Sequence, residues 1–243
     1  MLRAHVAAAL VAAALLGACS DDAPQRADVV AGKRSLEQVN EVPPLLSEPT
    51  EDPASEIEAL VRQQFAASVE VFQSWDRSFP EPELLLLDTD SSSGAYSAAC
   101  QAPLEPGGAF YCPPENKIYL DLGWLDDFSR RSTNGALRDG AVFSTVAHEL
   151  GHAWYAHVGF IDRDSTIVAE ELFADCLAGA VIAAVYDDPD RSVPLIQEAA
   201  QDSYSVGSDD WQNPRFHGTA SQRRDATLLG GREGRQGCES YVT

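Results

Sequence analysis

The sequence predicts an α+β fold, and three observations carry the prediction. Short apolar runs that read as strands are gathered between Leu84 and Leu122. Stretches with helical spacing of apolar residues flank them, one ending before Pro80 and the rest starting near Leu137. Turn signals separate these stretches, and no internal repeat is present. Strands grouped in one part of a chain, with helices on either side, place it in the α+β class.

With 243 residues the chain has room for one domain of ordinary size plus accessory segments. Its net charge of −21 repels polyanions, which argues against a nucleic-acid partner. Arg3 precedes the apolar run Val6–Leu16, which is too short to span a bilayer but suits a signal-peptide core. The run ends in Leu16-Gly17-Ala18-Cys19, which resembles the bacterial lipobox. Residues 1–18 are therefore expected to be a lipoprotein signal peptide, with Cys19 lipidated and the protein held outside the cytoplasm on a lipid bilayer. An ordinary secretory signal or an uncleaved anchor is the alternative. Residues 19–54 hold few large apolar side chains and read as a flexible acidic tether, leaving 55–243 as the folded domain.

The domain is expected to open on a helix, with Ser55-x-x-Glu58 as a capping box. Ile57, Leu60, Val61, Phe65, Phe72 and Trp75 form one stripe, so the helix should run to about Ser78 and stop before Pro80. Leu84–Leu87 reads as a buried strand and Ser91–Gly94 as a loop. Phe110–Cys112 and Lys117–Leu122 read as strands joined by the turn Pro113–Asn116, and Trp124–Arg130 as a short helix. A helix is expected from Leu137 to Val158, and another from N-cap candidates in Asp162–Ser165 to about Tyr186. A further helix starts near Ser192-Val193-Pro194, and the last at Thr219, where Thr219-x-x-Gln222 forms a capping box.

In an exported chain the cysteines beyond Cys19 read as disulfide partners. Cys100, Cys112, Cys176 and Cys238 allow three pairings, with buried free thiols as the alternative. The favoured pairs are Cys100–Cys112, a clip across a Pro/Gly-rich loop, and Cys176–Cys238, which ties the C-terminus to the core.

Val146–Tyr155 reads VAHELGHAWY and holds His148, Glu149 and His152 in H-E-x-x-H spacing. On a helix, residues four apart share a face, so both imidazoles can meet one zinc ion, with Glu149 placed to act on a water there. The bare pattern arises by chance on the order of once per hundred such chains, so a third ligand must support it. The Gly and His of a metzincin extension would fall at Tyr155 and Val158, which excludes that arrangement. His157 lies about half a turn round the helix, facing away, and is expected to be a structural or surface His. The better ligand is in Glu170-Glu171-Leu172-Phe173-Ala174-Asp175. If Glu171 binds the metal, Asp175 follows one turn later and can accept the free N–H of a zinc-bound His, whereas Glu170 has Ala174 at that place. A solvated acidic helix face is the alternative.

HELGH at 148–152 followed by ELFADCLAG at 171–179 resembles the putative neutral zinc metallopeptidase family of bacteria. Gly108–Pro113 running on to Ile118–Asp121 is similar to that family's cysteine-bearing strand pair, and His217-Gly218-Thr219-x-x-Gln222-Arg223 with Cys238 to its C-terminal pattern. The chain departs from the family in carrying Ala153-Trp154-Tyr155 after the second His, and in the spacer between Tyr186 and His217. The resemblance implies a zincin-like fold of the thermolysin type, one Zn2+ on His148, His152 and Glu171, and Glu149 as general base in peptide-bond hydrolysis. It also supports both disulfide pairings. His217, just before a helix cap, is the candidate to stabilise the oxyanion, with Arg223 in support; a purely structural role is the alternative. Relatives of this fold pair an extended peptide or protein substrate with an edge strand, and Lys117–Leu122 is the expected edge. A lipid-anchored zinc peptidase is the leading reading. A binding or scaffolding lipoprotein that retains the fold is its rival, and a zinc hydrolase acting on another bond is a third.

Overall fold

The computed structural model describes residues 53–87, 96–97, 99–100, 102–103, 108–132, 138–159, 166–213 and 216–242. The expected signal peptide, Cys19, the tether, the Ser91–Gly94 loop and the Asp162–Ser165 cap all lie outside them. The order is α1 (Pro53–Trp75), β1 (Glu83–Leu87), β2 (Tyr96–Ser97), β3 (Ala102–Pro103), β4 (Ala109–Cys112), β5 (Lys117–Asp121), α2 (Leu122–Ser132), α3 (Arg138–His157), α4 (Ile167–Val185), α5 (Pro189–Ser205) and α6 (Ala220–Cys238). The class is α+β, mostly helical, with one three-stranded sheet.

Helix α1 already runs at Pro53, two residues before the expected start at Ser55, and Glu58 pairs with Arg62 at 2.7 Å. The helix stops three residues earlier than expected because Asp76 takes over the chain: its carboxylate accepts from the Ser78 backbone N–H and hydroxyl. Ile57, Val61, Phe65 and Phe72 are buried, as the stripe requires. Phe72 and Trp75 meet Phe79 and Trp154 in an aromatic cluster with ring centroids 5.0–5.7 Å apart. Trp154, the family departure beside the second motif His, is therefore a core residue.

The sheet order is β1-β5-β4, with β1 parallel and β4 antiparallel to β5. This corrects two expectations. Leu84–Leu87 is a half-buried edge rather than a fully buried strand. Lys117–Asp121 is the central strand rather than the edge, and every residue after Lys117 in it is buried, because both faces are covered. Leu122 begins α2, and Asp121 explains why: its carboxylate accepts from the Trp124 backbone N–H.

Helix α4 is buried continuously from Glu171 to Ile182, as a helix with apolar residues all round must be. Its cap is Thr166, whose hydroxyl accepts from Ala169 N–H. Small residues let its neighbours approach closely. A Cβ on Gly179 would lie 2.0 Å from the Thr227 carbonyl oxygen, and one on Gly230 1.7 Å from that of Cys176. That contact between α4 and α6 is closed by the Cys176–Cys238 disulfide, and Cys100–Cys112 forms the second. The first encloses 62 residues, a loop for which chain entropy predicts about 4 kcal/mol of stabilisation.

Helix α5 starts earlier than expected. Asp188 caps it by accepting from Asp190 N–H, and Pro189 occupies the first turn, so Pro194 falls inside. Thr219 caps α6 through both halves of its capping box, as the sequence predicts.

Candidate active site

The close approach of α3 and α4 builds the site. A Cβ on Gly151, inside the H-E-x-x-H stretch, would stand 2.9 Å from Ala174 Cα. The absence of one side chain and the smallness of the other bring Glu171 and Asp175 of α4 against His148 and His152 of α3. His148 Nε2 lies 3.1 Å from His152 Nε2 and 3.3 Å from Glu171 Oε2, and His152 Nε2 lies 3.4 Å from Glu171 Oε1. Tetrahedral zinc, with bonds of about 2.0–2.2 Å, separates neighbouring donors by about 3.3–3.6 Å. Two imidazole nitrogens and a carboxylate at these spacings fit that ion. Among the described residues this is the one group of three or more such side chains that could hold a metal.

The surroundings fix the donors. His148 Nδ1 donates to Asp175 Oδ1 at 2.9 Å, which leaves its Nε2 lone pair facing the other two ligands. Burial disfavours a charged His148, but Asp175 and Glu171 outweigh it and raise its pKa. Burial would lift Glu171 too, yet hydrogen bonds from His148 and His152 hold its carboxyl well below the usual range. Arg223 from α6 grips Asp175 with two hydrogen bonds, Nε to Oδ2 at 2.7 Å and Nη2 to Oδ1 at 3.0 Å, and stands 3.4 Å from Glu171 Oε2. Arg223, expected in support of His217, lines the same cavity as that residue and pairs with the buried carboxylates it neutralises.

Glu149 is 6% exposed, and burial pushes its carboxyl up. The Tyr111 backbone N–H of β4 hydrogen-bonds to it, while Oε2 has no hydrogen-bond partner among the described residues. His217 is half-exposed, with Nδ1 3.6 Å from Glu171 Oε2. His157 faces away, 3.1 Å from Asp76 Oδ2 and edge-on to Phe79. All the ligand candidates, Glu149, Asp175, His217 and Arg223 line one cavity of about 490 Å³, together with Gly108–Tyr111, Trp124, Phe128 and Tyr155.

Sequence reasoning missed one part of this cavity. Asp202 of α5 lies in its wall, and Glu198 one turn earlier is also buried. Both sit on the buried stripe with Leu195 and Ala199, and an acidic pair four apart on an apolar stripe was the available signal. Burial raises Glu198 to about 8, with the charges of Asp202 and Asp139 adding to it, and burial raises Asp202 to about 7. An unfolded carboxyl titrates near 4, so the folded state holds these protons more tightly. Their contribution to stability is present below that pH and is lost as pH rises toward 7–8. Denaturant unfolding should thus find Asp202→Asn more stable than wild type by an amount that grows with pH, from nothing near pH 4 to on the order of 1–3 kcal/mol at pH 8. A constant difference across that range would refute the assignment.

The sequence profile of the family described as "Putative neutral zinc metallopeptidase" matches residues 29–226. The chain is 26% identical over 174 residues to "Uncharacterized protein YpfJ" of Escherichia coli strain K12, covering 63% of this chain and 58% of that protein. The same figures hold for the protein of that name in Escherichia coli O6:H1. The chain thus spans less than two thirds of the length of these relatives. No solved structure matches.

Proposed function

Because the chain belongs to the putative neutral zinc metallopeptidase family, we propose that it is a zinc-dependent peptidase with a thermolysin-type site. The observation that carries the reading is the triangle of His148 Nε2, His152 Nε2 and a Glu171 oxygen, 3.1–3.4 Å on a side, with the buried Glu149 beside it in the same cavity. His148, His152 and Glu171 would hold the zinc. When bound, zinc makes water acidic near neutral pH and polarises a carbonyl.

The chain's own residues supply the rest. Glu149 Oε2, desolvated and without a hydrogen-bond partner among the described residues, takes a proton from the attacking water and delivers it to the leaving amine. Burial raises its basicity toward the range a proton shuttle needs. Asp175 holds the His148 ring, and Arg223 holds Asp175. His217 at the cavity rim is the donor proposed for the oxyanion. Ala109–Cys112 is an outer strand of the sheet and Gly108–Tyr111 line the cavity, so an extended peptide is proposed to pair there rather than on β5.

Purified protein should carry one zinc per chain and cleave a peptide library or a denatured protein. Zinc without cleavage would favour the rival, a binding or scaffolding module. Neither zinc nor cleavage would refute the ligand set. The sequence Leu16-Gly17-Ala18-Cys19 supports the further proposal that the enzyme works outside the cytoplasmic membrane on an N-terminal lipid anchor. Cys19→Ser should then shift the protein from membrane to soluble fractions, and unchanged fractionation would count against the anchor.

A further inference from the structure

The cavity has a second chemical feature that hydrolysis itself does not use. On α3, Gly140, Ser144 and His148 follow one another at one-turn intervals; Glu198 and Asp202 on α5, with Val206 capping its C-terminal end, do the same. The two rows meet where the Gly140 backbone N–H donates to Glu198 Oε2 at 3.2 Å. A Cβ on Gly140 would lie 2.4 Å from that oxygen, so glycine makes the approach possible. Ser144, one turn before His148 on α3, and Asp202 of α5 both line the cavity.

Asp202 is 2% exposed and Glu198 7%. Neither Asp202 oxygen, nor Glu198 Oε1, has a hydrogen-bond partner among the described residues. Two buried carboxylates with three of their four oxygens unpartnered are costly, and folding alone would select apolar residues there. Their favourable partner is a cation that enters from the cavity. Arg223 cannot serve, since Asp175 and Glu171 already hold it. Trp124, Phe128 and Val206 also line the cavity and suit the aliphatic stem of a long cationic side chain. A chain of net charge −21 also attracts cationic ligands.

From this arrangement we infer that Asp202, backed by Glu198, forms a specificity pocket for a lysine or arginine side chain of the substrate, in the same cavity as the metal ligands. The inference rests on the peptidase reading for its substrate class, but the pocket can be tested without turnover. The probes are blocked hexapeptides carrying arginine, lysine, norleucine or glutamate at each central position.

Binding is measured by calorimetry on zinc-loaded Glu149→Gln, and cleavage on wild type. The basic peptides should bind on the order of 10- to 100-fold more tightly than the norleucine ones, as expected for a charge-assisted contact in a desolvated pocket. Adding Asp202→Asn should bring that ratio close to one. Wild type should show the same preference in kcat/KM at one fixed position beside the cleaved bond. Equal binding of the arginine and norleucine peptides overturns the pocket, even if both are cleaved. A ratio that survives Asp202→Asn, or tight Ca2+ binding that Asp202→Asn abolishes, overturns it as well. If basic peptides bind preferentially and none is cleaved by wild type, the pocket stands and the peptidase reading falls.

Discussion

Glu149→Gln is expected to keep one zinc per chain and to lose peptide hydrolysis by about 10²–10⁴-fold, the usual contribution of a positioned acid–base group. The amide matches the carboxylate in shape, so the buried side chain still packs and can still accept from the Tyr111 N–H. What it cannot do is take a proton. The loss should appear in kcat rather than KM, because Glu149 moves the proton as the bond breaks and does not hold the peptide. Metal analysis beside steady-state turnover checks both halves. Loss of zinc in the variant would move Glu149 among the ligands, and retention of full turnover would remove it from the chemistry.

The second large effect is expected at Arg223, which never touches the ligand nitrogens. Arg223→Leu leaves Asp175 and Glu171 buried without their cation, and breaking a buried pair in this way costs about 3–5 kcal/mol. It also frees Asp175, which orients His148, so zinc affinity should fall about 10–100-fold. Denaturation of the metal-free protein measures the first quantity and competition against a chelating dye the second. Arg223→Lys, which restores charge without the two-pronged contact, should recover part of the stability and less of the affinity. A variant that loses stability yet binds zinc as tightly as wild type would reduce Arg223 to a structural residue.

Arg223 also marks where reading the sequence stopped. Its place after a capping box was legible, and so was its nearness to His217 in the chain. Which carboxylate it would meet was not, because that depends on α6 lying against α4 at the distance set by Gly179 and Gly230. The edge strand failed for the same kind of reason. Alternation in Lys117–Asp121 marks a strand but carries no information about which neighbours hydrogen-bond to its two sides. The start of α5 went astray because two prolines offered two first turns, and the Asp188 cap chose between them.

By itself the sequence determined the pieces whose partners lie within a turn or two of the chain. The H-E-x-x-H face, the Glu171–Asp175 spacing and the Thr219 capping box follow from helical periodicity, which is a local property. The tertiary structure alone decided that Gly151 meets Ala174, that Tyr111 reaches Glu149, and that Glu198 is buried against Gly140 of α3. Those contacts join residues far apart in sequence. They depend on how closely two helices approach, which periodicity leaves open and packing volume fixes.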